Sequence, residues 1–156
     1  MNKLIKYDLV INQERRRVLQ KSKVYRTQHS IDCSHIDNIL YICRNILKLD
    51  KYAEEHAYII ALGMDMIPIG CFEIAHGDET SVNMGVREIF IRLLMIGASK
   101  FILVHNHPTF LIDASQDDLN VTERIRKMGI NLDIPLVDHI VFTPEDYYSF
   151  EELNII

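Results

Sequence analysis

A chain of 156 residues, 48% of them hydrophobic and 25% charged, has the length and make-up of one globular domain rather than a disordered or fibrous segment. The most apolar stretches, near Tyr58 and Leu93, end or meet a charge within about ten residues, against the ~20 a membrane helix needs, so no membrane partner is expected. The formal net charge of −5 is uneven: residues 1 to 27 carry +6 and the rest −11, so a basic arm precedes an acidic body.

The first residues lack an apolar run that could serve as a secretory leader, which points to the cytoplasm. Cys33, Cys43 and Cys71 are odd in number and contain no C-x-x-C pair, so they read as reduced thiols without a chemical role.

Residues 1 to 30 show no sustained period and read as a basic N-terminal arm with one short strand around residues 9 to 11. Residues 31 to 156 then form the domain proper. Ile36, Ile39, Leu40, Cys43, Ile46 and Leu47 recur at helical spacing, predicting a helix from His35 to about Leu49, with Asp32 or Ser34 available as its cap. Residues 57 to 62 and 67 to 74 are rich in β-formers and flank Gly63-Met64-Asp65-Met66, which predicts a hairpin. After a loop at Gly77, Asp78 and Thr80, residues 86 to 96 form a second helix ended by Gly97. A buried strand covers residues 101 to 105. A third helix runs from Ser115 to about Met128, closed by Gly129, and an apolar strand follows at 135 to 142. Residues 147 to 153 read as one more turn of helix. The order describes an α/β domain, a single mixed sheet flanked by helices.

The chemistry concentrates in His105-Asn106-His107-Pro108, followed by Ser115 and Asp118, with the spacing H-x-H-x7-S-x2-D. Two histidines two apart at a strand end project to one side, about 6 to 7 Å apart at the Cα atoms, so both imidazoles can reach one ion. Zinc takes nitrogen and carboxylate ligands in a tetrahedron, and Asp118 can supply the third. Each half also has an ordinary reading. Ser115 with Asp118 is a capping-box pattern, and His-x-His next to proline fits a surface turn. An upstream carboxylate tips the balance: Glu73 lies in the apolar stretch 67 to 74, where a glutamate is costly unless it has work such as taking a proton from a zinc-activated water. The alternative is that the strand has ended and Glu73 is solvated.

These motifs, with AEEHAYIIAL at 53 to 62, IGCFEIAHG at 69 to 77, VREIFIRLLMIGA at 86 to 98 and LVDHIVF at 136 to 142, resemble the JAMM (MPN+/JAB) zinc metalloprotease family, and more closely its RadC-like branch. The resemblance implies a JAB/MPN-like fold with cytidine-deaminase-like layering. It implies that His105, His107 and Asp118 bind Zn2+, that Glu73 activates the water and that Ser115 stabilises the oxyanion. The implied reaction is hydrolysis of a peptide or isopeptide bond in a peptide or protein substrate. RadC-like proteins usually read HNHPSGDPTPS where this chain has HNHPTFLIDAS; Phe110, Leu111 and Ile112 bear on substrate access rather than on metal binding. His139 also matches the family pattern and reads as a satisfied core histidine. His29, His35, His56 and His76 read as incidental.

A rival reading is a metal-stabilised, non-catalytic binding module associated with DNA repair or another partner. The acidic body argues against a large nucleic-acid footprint, and a structural zinc site has no use for a base.

Overall fold

A computed structural model describes residues 3–77, 84–109 and 112–156. Strands β1 (Lys3–Ile11), β2 (Arg17–Arg26), β3 (His56–Leu62), β4 (Pro68–His76), β5 (Lys100–Asn106), β6 (Leu136–Phe142) and β7 (Tyr147–Ser149) form one mixed sheet in the order β2-β1-β4-β3-β5-β6-β7. Helix α1 (Ile36–Tyr41) continues as a π-helical stretch, Ile42–Ile46; α2 (Val86–Ile96) and α3 (Gln116–Asn131) complete the set. This is the α/β, JAB/MPN-like architecture that the sequence predicts.

The central strand β3 reads HAYIIAL and is buried at every position. A strand apolar on both faces needs cover on both. Tyr58, Ile60, Ile102 and Val104 pack on one side with the α1 segment. Ala57, Ile59, Phe101 and Leu103 pack on the other with α2 and α3 residues such as Phe90, Leu93 and Ile125. Two cores therefore sandwich the sheet, and neighbouring residues of β3 or β5 belong to different cores. Strands β5 and β6 are parallel and joined through α3, which brings the start of that helix over the C-terminal end of β5.

Several boundaries differ from expectation. The basic arm is a β-hairpin: β1 pairs antiparallel with β2 and meets β4 in parallel at Lys6 opposite Cys71. Leu4 and Ile5 are buried, while much of β2 is exposed, so an edge strand shows only a weak apolar period. The first helix has no side-chain cap; Asp32 Oδ1 accepts from the Ser34 N–H instead. Gly97 ends α2 with φ 72°, as expected, but α3 runs through Gly129 to Asn131. A Cβ on Gly129 would lie 2.6 Å from the Ile134 carbonyl oxygen, so this glycine permits close packing rather than terminating the helix. Residues 147–149 pair antiparallel with β6 instead of forming a helical turn. Burial pushes the thiols of Cys33 and Cys71 up to about 12, and Cys43 is also fully buried, so all three are inert. Among the described residues, no helix is long and apolar enough to cross a membrane.

Candidate metal centre

His105 ends β5 on the side that faces α2 and α3, because it shares the period of Phe101 and Leu103 and stands opposite Ala57 of β3. His107 lies two residues further on, tied to β6 by its N–H donating to the Phe142 carbonyl at 2.8 Å. Asp118 enters from the first turn of α3. Ser115 caps that helix: its hydroxyl oxygen accepts from the Asp118 N–H at 3.1 Å, while its own N–H and O–H donate to Asp118 Oδ2 at 2.8 and 2.7 Å. The capping box thus fixes Asp118 beside the two histidines, so the helix-start pattern of Ser115-x-x-Asp118 is compatible with a ligating role for Asp118.

The donor atoms converge. His105 Nε2 lies 3.0 Å from His107 Nε2 and 3.3 Å from Asp118 Oδ1, and His107 Nε2 lies 3.6 Å from Asp118 Oδ2. Ligands about 2.1 Å from a tetrahedral zinc stand roughly 3.4 Å apart, and these separations, measured to one or the other Asp118 oxygen, are of that size. Two imidazoles and one carboxylate also form a donor set that zinc favours. Burial pushes the Asp118 carboxyl up, yet hydrogen bonding with His105, His107 and Ser115 outweighs it and holds the group well below the usual range, so it stays ionised.

Glu73 is not at this cluster. It pairs across the sheet with Tyr58, whose other neighbour is Val104, so it belongs to the opposite face from His105. There its carboxylate accepts from Lys6 Nζ at 2.6 Å and meets His56 Nδ1 at 2.7 Å. Its apolar setting is therefore compensated by an ion pair, not by a metal-activated water. A bulge in the pairing, where Ala57 faces Ala75 but Tyr58 faces Glu73, fixes which face the side chain takes.

The carboxylate that does reach the cluster is Glu55, which sequence reasoning passed over. It is buried, and its Oε1 lies 3.9 Å from His107 Nε2. Extending the Ala57–His105 pairing by two residues sets Glu55 beside His107. Asn106, between the two histidines, brackets it: the Asn106 side chain accepts from the His56 N–H at 2.7 Å and donates to the Glu54 carbonyl at 2.9 Å. The signal was in AEEHAYIIAL, where a glutamate precedes the strand antiparallel to the one that ends in His-x-His.

His139 is a buried histidine with both ring nitrogens partnered, as the sequence predicts. It is fully buried, stacked on Phe150, and its Nε2 lies 2.8 Å from His105 Nδ1. Of the three access residues only Ile112 is described; Phe110 and Leu111 lie outside the described residues.

Residues 33–155 match the family described as RadC-like JAB domain. The chain belongs to that family. Similar proteins include a UPF0758 protein of Clostridium novyi, 34% identical over 70% of this chain and 48% of its own, and a UPF0758 protein of Clostridium acetobutylicum, 30% identical over the same shares. One from Thermosynechococcus vestitus is 33% identical over 65% of this chain and 41% of its own. The chain spans about half the length of these relatives. Within the RadC-like JAB domain, the cluster of His105, His107 and Asp118 can hold a metal ion.

A second group, Glu54, His56 and His76, also brings donor atoms within 4.8 Å of one another. Its imidazoles are stacked 4.1 Å apart at 20°, so their in-plane lone pairs run side by side instead of meeting at one point. Tyr52, Ala53, Pro108 and Thr109 help to line a cleft of about 370 Å³ that, like the next, contains none of the cluster. A wider apolar groove of about 660 Å³ between α2 and α3 is lined by residues such as Phe90, Leu94 and Met128 and contains none of the cluster.

Proposed function

We propose that this chain is a zinc-dependent hydrolase that cleaves an amide bond, peptide or isopeptide, in a peptide or protein substrate, with Glu55 as its base. The observation that carries the reading is a set of donor atoms at separations of the size tetrahedral zinc needs, with a buried carboxylate beside it. Zinc bound there supplies a Lewis acid for the carbonyl and an acidified water. Glu55 would serve as the carboxylate that accepts a proton beside the site and returns it to the leaving nitrogen. Asn106 keeps Glu55 in place by holding the backbone on both sides of it. Ser115 can donate to the oxyanion only if its hydrogen turns away from Asp118 Oδ2, so Ser115→Ala is expected to weaken zinc binding as well as turnover. Three inert thiols suit a reducing compartment such as the cytoplasm.

The test uses zinc-loaded protein against a panel of peptide and isopeptide amides. Glu55→Gln keeps the size and polarity of the side chain but cannot take a proton, so it should retain zinc and lose about a hundredfold or more of the activity. Glu73→Gln, on the other face, should stay near wild type. Wild-type turnover in Glu55→Gln, or a wild type inert on the whole panel, overturns the reading. Zinc analysis of His107→Ala and Asp118→Ala checks the ligands: full occupancy at unchanged affinity in either excludes that residue.

A further inference from the structure

We infer that the groove between α2 and α3 is a docking surface for an acidic amphipathic helix of a partner protein. The groove contains none of the metal cluster, and its role does not depend on the hydrolase reading.

Helix α2, VREIFIRLLMI, has eight apolar residues among its eleven. A helix that covers one face of a sheet needs an apolar stripe of three or four positions in two turns, whereas one apolar around most of its circumference belongs in a core. Only part of α2 has a core to enter. Ile89, Phe90 and Leu93 are buried on the sheet side. Ile91 and Leu94 line the groove instead, and Leu94 is 55% exposed. Met128, 40% exposed, meets them from the α3 wall. The helix thus carries a second apolar face that nothing among the described residues covers.

The rim decides the kind of partner. Arg87 stands on the α2 side, Arg124 and Lys127 on the α3 side, and no acid lines the groove among the described residues. Arg87 is paired with Glu88 at 2.8 Å. Glu123 is shared by Arg126 and Lys127, at 2.8 and 3.1 Å, so Arg124 has no carboxylate partner among the described residues. Cations gathered around an apolar floor, on a chain of net charge −5, favour an acidic occupant. They disfavour a second copy, because a two-fold contact would set the cations of one groove against those of the other. A nucleic acid would match the charge but leave the apolar floor facing phosphates. The walls run from Val86 to Leu94 and from Arg124 to Asn131, about two turns each or roughly 11 Å at 1.5 Å per residue, so the occupant is rod-shaped. A helix with apolar residues at i, i+3, i+4 and i+7 and carboxylates on its flanks fits both the floor and the rim.

The probe is a synthetic peptide as long as α3, with leucines on one face and glutamates along both flanks; its control has lysines in place of the glutamates. Fluorescence anisotropy with the full chain should give a micromolar Kd for the glutamate peptide and binding at least about tenfold weaker for the lysine peptide. In nitrogen-15 NMR the amides that shift should be those of residues 86–94 and 124–131. Leu94→Asp and Arg124→Glu change exposed side chains, so both should melt near wild type, yet each should weaken the glutamate peptide at least about tenfold. Arg124→Glu should also narrow the gap between the two peptides. No binding of the glutamate peptide, equal affinity for both peptides, shifts on another surface, or wild-type affinity in Arg124→Glu overturns the inference. Dimerisation of the wild type in sedimentation that Leu94→Asp abolishes also overturns it, in favour of a contact between copies. So does laurate that displaces the peptide at a lower concentration than unlabelled peptide does, in favour of a lipid. If Leu94→Asp does not fold, Arg124→Glu and the shift map still decide. No readout uses zinc or turnover, so this surface and the hydrolase reading stand or fall separately.

Discussion

Asn106 shows how one side chain can tie the His105–His107 strand end to the backbone around Glu55. It is almost fully buried, and both ends of its amide are committed to the backbone around Glu55. Asn106→Ala would strand the His56 N–H and the Glu54 carbonyl, so we expect a loss of about 2 to 3 kcal/mol in urea unfolding. Zinc should still bind, because His105 and His107 keep their own supports, while turnover falls as Glu55 slackens. An Asn106→Ala protein that unfolds at the wild-type urea concentration would show that these two bonds carry no weight. The histidines and Asp118 were legible in the sequence because their spacing is local, a strand end and the first turn of a helix. The base was not. Apolar neighbours identify a buried strand, but this sheet is buried on both faces, so Phe72 and Ile74 around Glu73 could not tell which core it faces. The bulge opposite Ala57 and Tyr58 settles that, and it is a property of pairing rather than of either strand alone.

At the scale of elements, α3 is the piece whose placement matters most, since it carries Ser115 and Asp118. Its far end is seated by Gly129 against the Ile134 carbonyl. Gly129→Ala should improve helix propensity yet lower stability, by roughly 1 to 3 kcal/mol, because the added carbon meets backbone that cannot turn aside. A thermal melt at or above wild type would mean that the helix shifts freely. The sequence located this helix but placed its end at Gly129, since a glycine needed for close approach looks like a glycine that stops a helix. The contact between β1 and β4 has its own signature. Burial pushes the Glu73 carboxyl up, but Lys6 and His56 outweigh it and bring it below its ordinary range. A depressed carboxyl stabilises the fold fully above the unfolded value of about 4.3, and the effect fades as pH falls through the lower folded value. Lys6→Met should therefore cost on the order of 1 kcal/mol at neutral pH and progressively less as acidification protonates Glu73 in the folded state. A deficit that stays constant through that titration would assign the loss to packing instead of charge.

Over the whole molecule, the N-terminal hairpin alters how the domain ends. The family match starts at residue 33, so β1 and β2 lie outside it, yet they extend the sheet beyond β4. Composition alone made these residues look like a basic arm, because an edge strand half exposed to water carries too few apolar positions to announce itself. Its cations have structural uses: Lys6 pairs with Glu73, and Lys21 and Lys23 lie along an edge where charge discourages pairing with another chain. We accordingly expect little binding of nucleic acid at physiological salt, where a long polyanion would have to compete with an acidic body. Removing residues 1–27 should instead uncover β4, whose backbone would then present an unpaired edge next to the apolar residues Cys71 and Phe72. The truncated chain should melt at lower temperature and associate with rising concentration in sedimentation experiments, while the cluster at the other side of β3 still binds zinc if the remainder folds. A truncated protein that is monomeric and as stable as the full chain, but has lost tight nucleic-acid binding present in the full chain, would return the hairpin to the role of a binding arm.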